Sequence, residues 1–77
     1  MLQVNVRFYA MLREHHSIPE QQVNMPDGSS VQDVVAACAP EGLRSGLRCA
    51  VNERFVTMDH VLESGDVVDL LPPFGGG

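Results

Sequence analysis

The sequence contains no lysine, no tryptophan and only two cysteines, and none of its apolar runs is long. Two cysteines cannot supply the four ligands of a structural zinc site or of an iron–sulfur cluster. No apolar run approaches the ~20 residues of a membrane-spanning helix. Because all five cations are arginines, the chain also has no ε-amine that could receive an acyl group.

The charged residues are mostly acidic, and the formal net charge is −5. Nucleic-acid binding needs clustered cations, so a nucleic acid is not expected as a partner, whereas a basic protein surface is. A chain of 77 residues forms one domain with a small core and leaves no room for a second lobe over a substrate. We therefore expect a soluble, cytoplasmic protein that is not an enzyme on its own and does not bind membranes.

The residues that could ligate a metal are few and scattered. Cys38 and Cys49 lie in the apolar contexts VVAACA and LRCAV, which predicts two small buried hydrophobic residues rather than a catalytic thiol. His15 and His16 are adjacent in a polar stretch and His60 is isolated, as expected of solvated loop positions. The sequence therefore predicts no metal site.

The N-terminal third predicts two strands. Residues 2–9 alternate between apolar and polar side chains, which is typical of a half-buried strand. The segment AMLREHHSIPE that follows predicts a turn or a helical turn, which Pro19 closes. A second strand is expected at Glu20–Met25, with Val23 and Met25 directed inward, and it ends at the turn sequence PDG.

The segment SSVQDVVAACAP predicts the main helix. Ser30 can cap its N-terminus, and Asp33 three residues later favours the positive end of the helix dipole. Apolar residues spaced at i, i+3, i+4 and i+7 form one stripe along the helix, and Pro40 ends it. The members of this stripe are Val31, Val34, Val35 and Cys38. A single apolar stripe indicates that the helix packs across a sheet.

The C-terminal half predicts three more strands. Residues 47–51 and 55–57 form two short strands joined by the tight connection NER, and residues 67–71 form the last strand. Between them, MDHVLESGD is rich in turns, with a single-turn helix expected at 59–62. This order predicts an α+β, ubiquitin-like β-grasp fold with a mixed sheet of about five strands and one main helix packed on one face. The first and last strands are expected to lie side by side and parallel.

The domain, residues 1–71, is followed by an extended tail, residues 72–77, with the sequence PPFGGG. The two prolines favour a stiff extended conformation. Phe74 is a large apolar group held away from its own core, as in the aromatic anchors of protein interfaces. Three glycines can thread a channel that side chains would block, so the terminal carboxylate of Gly77 is the candidate reactive group.

A contact patch is predicted where the tail begins. In the β-grasp arrangement Tyr9 and Leu71 leave the first and last strands at the same end, on the face away from the helix. Two large apolar side chains together on an open face are typical of a protein contact. We therefore expect a partner to bind beside the tail.

The segments VRFYAMLRE and AVNERFVTMDHVLESGDVVDLLPP, together with the terminal Gly-Gly, resemble the ubiquitin-like sulfur-carrier family. This family includes the small subunit of molybdopterin synthase and the thiamine sulfur carrier. The resemblance covers nearly the whole chain in element order, and the two prolines at the start of the tail favour the molybdopterin branch. Gly75 departs from the pattern, because a small residue with a side chain is more common at that position.

The resemblance implies a sulfur carrier in molybdenum cofactor biosynthesis. A ubiquitin-activating-type adenylating enzyme, which holds the ATP and magnesium, would join AMP to the terminal carboxylate, and sulfur from a donor protein would replace AMP to give a thiocarboxylate. The large synthase subunit, in a heterotetramer, would accept the tail and pass the sulfur to cyclic pyranopterin monophosphate. No cofactor is implied on this chain. The implied site residues are the modified Gly77, Gly76 beside it, and the partner contacts Tyr9, Arg13, Leu71, Phe74 and Gly75.

Other functions stay open at this point. A carrier of this family could deliver sulfur to thiamine, to cysteine or to tRNA. A ubiquitin-like modifier would instead be joined through Gly77 to a lysine of another protein. A passive β-grasp interaction module would not need Gly76 and Gly77, so deletion of both residues distinguishes it from a carrier or a modifier.

Overall fold

The computed structural model describes residues 1–9, 19–39 and 41–71. In chain order these residues form β1 (Leu2–Phe8), β2 (Glu20–Met25), helix α1 (Val31–Cys38), a 3₁₀ turn (Glu41–Leu43), β3 (Arg48–Val51), β4 (Arg54–Val56) and β5 (Val67–Leu71). Three predictions lie outside the described residues: the turn between the first two strands, the end of the helix at Pro40, and the tail.

The five strands of the described residues form one mixed sheet in the order β2-β1-β5-β3-β4. β1 is antiparallel to β2 and parallel to β5, and β3 is antiparallel to both β5 and β4. Phe8 of β1 lies opposite Leu70 of β5. The predicted parallel pairing of the first and last strands is confirmed, and the arrangement is the β-grasp fold.

The hydrophobic core lies between the sheet and α1. Alternate residues of the central strands turn towards the helix, and the apolar stripe of α1 packs against them. The fully buried side chains of this core are Val4, Val6, Val31, Val34, Cys49, Val68 and Leu70. Burial of one Val or Leu side chain contributes about 1.5–3 kcal/mol, so this face of the sheet is the main source of stability.

Both ends of α1 are closed by side chains. The backbone N–H of Ser30 donates to the carboxylate of Asp33 at 2.8 Å, as the sequence predicted. At the other end the guanidinium of Arg44 donates to the carbonyl oxygens of Ala36 and Ala39 at 2.9 and 2.8 Å, which satisfies acceptors that the helix leaves unpaired. No helix in the described part of the chain is long and apolar enough to cross a membrane.

The predicted single-turn helix at 59–62 is wrong. Val61 instead forms an isolated bridge with Ser30. The carbonyl oxygens of Met58 and His60 accept hydrogen bonds, at 2.9 and 3.0 Å, from the first two N–H groups of α1. These carbonyls therefore satisfy the N-terminus of α1 rather than a helix of their own.

The boundaries of three strands differ from the prediction by one residue. β4 spans Arg54–Val56 rather than 55–57. β1 ends at Phe8 rather than at residue 9, and β3 begins at Arg48 rather than at residue 47. Asn52 and Glu53 have positive φ angles of 51° and 69°, which produces a two-residue turn. Pairing of β4 with β3 therefore resumes directly after Glu53.

Candidate functional site

The two predicted contact residues that the structure describes lie at the same end of the sheet. Leu71 is the last residue of β5 and is partly buried, and Tyr9 follows β1 with 37% of its surface exposed. Since β1 and β5 run parallel with Phe8 opposite Leu70, β5 ends beside Tyr9. The other predicted site residues lie outside the described residues and stay predictions: Arg13, Phe74, Gly75, Gly76 and Gly77.

We call the surface of the sheet opposite α1 the open face. Residues paired directly across two strands share a face, and Asp69 of β5 is paired with both Arg7 of β1 and Ala50 of β3. Ala50 is in turn paired with Phe55 of β4, and Arg7 with Glu20 of β2, so one row crosses all five strands. The next row pairs the last residue of β5 with the first of β3. The open face includes, at the end of the sheet where β5 finishes, Arg7, Tyr9, Glu20, Arg48, Ala50, Phe55, Asp69 and Leu71.

Phe55 is the most exposed large apolar side chain of the open face, with 68% of its surface exposed. The guanidinium carbon of Arg48 lies 5.7 Å from the centroid of its ring, a geometry that gives a cation–π interaction. Both side chains border a shallow depression that Thr57 and Met58 also line. Phe55 was not predicted as a site residue; the available signal was a bulky aromatic directly after the polar turn NER.

Arg7 and Asp69 form an ion pair in the centre of the open face. Nε and Nη2 of Arg7 donate to the two carboxylate oxygens of Asp69, the second at 2.9 Å, so the pair is bidentate. The side chain of Asp69 is 10% exposed and that of Arg7 36%. Its hydrogen bond to Asp69 raises the pKa of the Arg7 guanidinium above the ordinary value, although desolvation opposes this effect. This pair was not predicted from the sequence, because its two residues lie 62 positions apart.

The strand positions of the open face carry no net charge. Their charged members are two cations, Arg7 and Arg48, and two anions, Asp69 and Glu20, which is paired with Arg7 on β2. The formal net charge of −5 is therefore carried by the rest of the chain. Any attraction to a basic partner comes from the surroundings of the open face and not from the face itself.

The two cysteines belong to the core side of the sheet. Cys49 is 2% exposed and burial raises the pKa of its thiol to about 11. Cys38 is partly buried against the core, and desolvation raises its pKa as well. The prediction of a small buried hydrophobic residue is confirmed for Cys49. Neither thiol is a reactive thiolate at neutral pH, and no group of three metal-ligating side chains occurs within the described ranges.

One family of known proteins matches the chain over nearly its full length. The ThiS family matches residues 6–77. The chain is also 30% identical, over 83 residues, to the molybdopterin synthase sulfur carrier subunit of Chlamydomonas reinhardtii. That match covers 99% of this chain and 100% of the relative.

Solved structures share the fold. The putative molybdopterin converting factor subunit 1 of Pyrococcus furiosus is similar with a TM-score of 0.82 and 27% identity, over 95% of this chain and 99% of that chain. A chain from the complex of subunits 1 and 2 of the molybdopterin-converting factor of Helicobacter pylori gives a TM-score of 0.64 and 25% identity. This second match covers 99% of this chain and 100% of that chain.

Proposed function

Since the chain belongs to the ThiS family, we propose that it is a sulfur carrier and acts as the small subunit of molybdopterin synthase in molybdenum cofactor biosynthesis. The observation that carries the proposal is that the family match extends to residue 77 and so includes the terminal glycines. The relative from C. reinhardtii, which is named a sulfur carrier subunit of this synthase, supports the molybdopterin branch.

The proposed reactive group is the terminal carboxylate of Gly77. A carboxylate is a poor electrophile, so an adenylating enzyme of the ubiquitin-activating type, which binds ATP and magnesium, first joins it to AMP. The persulfide of a donor protein then attacks the activated carbonyl carbon and releases AMP, which leaves an acyl disulfide. A second thiol cleaves its S–S bond, forms a disulfide with the donor and releases the thiocarboxylate, which is a far better nucleophile than a carboxylate. Gly75 and Gly76 act through their lack of side chains, since such a segment can enter a narrow channel.

The sheet topology supports the open face as the docking surface. β5 ends at Leu71, beside Tyr9, so a partner that covers these residues also covers the start of the tail. Phe55 adds an exposed aromatic ring to the same face. In the proposed complex Phe74 adds a further apolar contact and Arg13 a polar one.

The proposed docking partner is the large subunit of molybdopterin synthase. The H. pylori structure that the chain resembles is a complex of subunits 1 and 2 of the molybdopterin-converting factor, which supports a partner of this kind. In the proposed heterotetramer the large subunits hold the pterin. This chain delivers the sulfur and is not an enzyme on its own.

Intact-mass spectrometry tests the proposed function. The chain is incubated with ATP, magnesium, a persulfide donor, a thiol reductant and the adenylating enzyme of the same organism. Replacement of one carboxylate oxygen by sulfur is expected to add about 16 Da at Gly77, and a variant lacking Gly77 is expected to gain nothing. An unchanged mass, with an adenylating enzyme that is active on another carrier, contradicts the proposal. Adducts between Gly77 and lysines of other proteins favour a protein modifier instead.

A further inference from the structure

Arg7 has hydrogen-bond donors that no other residue in the described part of the chain uses. A guanidinium carries five N–H groups, and Asp69 accepts hydrogen bonds from two of them. Within the described residues Arg7 has no other hydrogen-bond partner, and its side chain is 36% exposed. Among the residues that the structure describes, none accepts a hydrogen bond from the remaining N–H groups, and the side chain is partly exposed on the open face.

Apolar residues of the open face flank the ion pair on two sides. Arg7 is two positions before Tyr9, and Asp69 is two positions before Leu71, so each pair of residues shares a side of its strand. In the other direction a single strand separates Asp69 from Phe55. A protein that spans Tyr9, Leu71 and Phe55 therefore lies next to the ion pair and is expected to contact the guanidinium of Arg7 as well.

The cost of covering Arg7 depends on what the partner places over it. A buried N–H group without an acceptor costs about 1–3 kcal/mol, and more when the group is charged. The ion pair also loses its remaining hydration. A partner with an acceptor at this point offsets these costs, whereas a surface that matches only the apolar contacts does not.

We propose that Arg7, held in position by Asp69, is the specificity-determining residue of the open face and selects protein partners that place a neutral carbonyl oxygen over its guanidinium. Glu20 is paired with Arg7 on the neighbouring strand, and the negative charge of Glu53 also favours the charged form of the Arg7 guanidinium. These acidic surroundings disfavour a partner carboxylate as the acceptor. The inference rests on the proposed function, because it concerns the same docking surface.

The test compares a cognate partner with a foreign one. The large synthase subunit of the same organism and subunit 2 of the H. pylori molybdopterin-converting factor are each titrated calorimetrically with the full-length chain. The test variant combines Arg7→Met with Asp69→Val, which removes both charges and retains apolar bulk. Arg54→Met is the matched control, because Arg54 is an exposed arginine of β4 that is not on the open face.

We expect the double variant to bind the cognate subunit about tenfold more weakly, because the partner's acceptor loses its donor. A foreign subunit that places no acceptor over Arg7 should bind the double variant about tenfold more tightly, because no charged group is then buried without a partner. The preference for the cognate subunit, measured as the ratio of the two dissociation constants, therefore falls about 100-fold. Arg54→Met should leave this ratio within about threefold of the wild-type value.

A preference that changes by less than about threefold in a double variant with the wild-type melting temperature overturns the inference. If the double variant melts early, Arg7→Lys replaces it. Lysine keeps the charge but not the planar fork, so the preference should still fall, and an unchanged preference overturns the inference equally.

Thiocarboxylate formation is measured on the same samples by intact-mass spectrometry. This measurement distinguishes failure of the proposed function from failure of the proposed role of Arg7. A wild-type chain that neither gains sulfur nor binds the cognate subunit contradicts the proposed function, and with it the inference. A wild-type chain that gains sulfur, together with a double variant of unchanged preference, contradicts only the role of Arg7.

Discussion

The two faces of the sheet are built from neighbouring residues and differ in nearly every property. In β5, Leu70 is fully buried against α1, whereas Leu71 lies on the open face and is only partly buried. In β1, Val6 is fully buried, whereas Arg7 forms an ion pair with Asp69. Successive side chains of a strand point to opposite faces, so the same strands carry both surfaces.

This difference shows that the two faces of one sheet have separate roles in a chain of 77 residues. The face covered by α1 holds the fully buried apolar side chains and stabilises the fold. The open face contributes much less to folding, since Phe55 gains little from a position in which 68% of its surface is exposed. An exposed aromatic ring beside an oriented arginine is typical of a recognition surface.

Separate substitution of two adjacent leucines in β5 is expected to show the largest difference between the two faces. Leu70→Ala removes a fully buried side chain and is expected to lower the free energy of unfolding by about 3–5 kcal/mol. Leu71→Ala, the matched control in the same strand, is expected to lower it by less than about 1.5 kcal/mol and to weaken binding of the large synthase subunit. Urea denaturation followed by circular dichroism measures both losses. Equal losses would contradict the division between the faces.

Substitution of the exposed Phe55 tests whether the open face is a recognition surface. Phe55→Ala is expected to change the free energy of unfolding by less than about 0.5 kcal/mol and to weaken binding of the large synthase subunit at least about tenfold. Val61→Ala is the control, since Val61 is 59% exposed but lies outside the sheet strands. Calorimetric titration and thermal melting measure the two effects. Equal weakening by both variants would remove the special role of the open face.

The pKa of Cys49 predicts how the helix-covered face responds to alkali. Burial raises the pKa of this thiol from 9.0 to about 11, because the thiolate is disfavoured away from water. The folded state therefore holds the proton more tightly than the unfolded state, and Cys38 acts in the same direction. This stabilising contribution is complete below about pH 9 and is lost as the pH rises through about 11.

Urea denaturation between pH 8 and 11.5, on the order of one point per half unit, measures this loss. Cys49→Ala is expected to be less stable at neutral pH, because it leaves a small cavity, but its stability should decline less steeply across the alkaline range. A decline as steep as that of the wild type would show that the thiol is not the group that titrates.

The smallest expected effect concerns the turn that leads into Phe55. Glu53 has a φ of 69°, a conformation that costs a residue with a side chain about 1–2 kcal/mol. Glu53→Gly relieves this strain but adds freedom to the unfolded chain, so a net gain of about 0.5 kcal/mol is expected. Glu53→Ala keeps the strain and serves as the control in thermal melting. An equal gain from both variants would assign the effect to the lost carboxylate instead.

The helix-covered face could be predicted from the sequence because its pattern is local. Alternation in β1 and the apolar stripe of α1 each arise within a few neighbouring residues. The helix expected at 59–62 was wrong for the opposite reason. Whether Met58 and His60 accept hydrogen bonds within their own segment or from α1 depends on how distant parts of the chain pack.

The open face could be predicted only in part. Its position beside Tyr9 and Leu71 followed from the expected parallel pairing of the first and last strands. Phe55 was missed because its exposure depends on the exact register of a three-residue strand. The pair of Arg7 and Asp69 was missed because 62 positions separate its members and only the sheet brings them together.

We infer that the face covered by α1 stabilises the domain and that the open face binds the proposed sulfur-transfer partner. Nuclear magnetic resonance cross-saturation from the unlabelled large synthase subunit to the labelled full-length chain tests it most directly. We expect signal loss at Tyr9, Arg48, Phe55 and Leu71, with the exposed helix residue Gln32 unaffected. Signal loss centred on α1, with the open face unaffected, would contradict it.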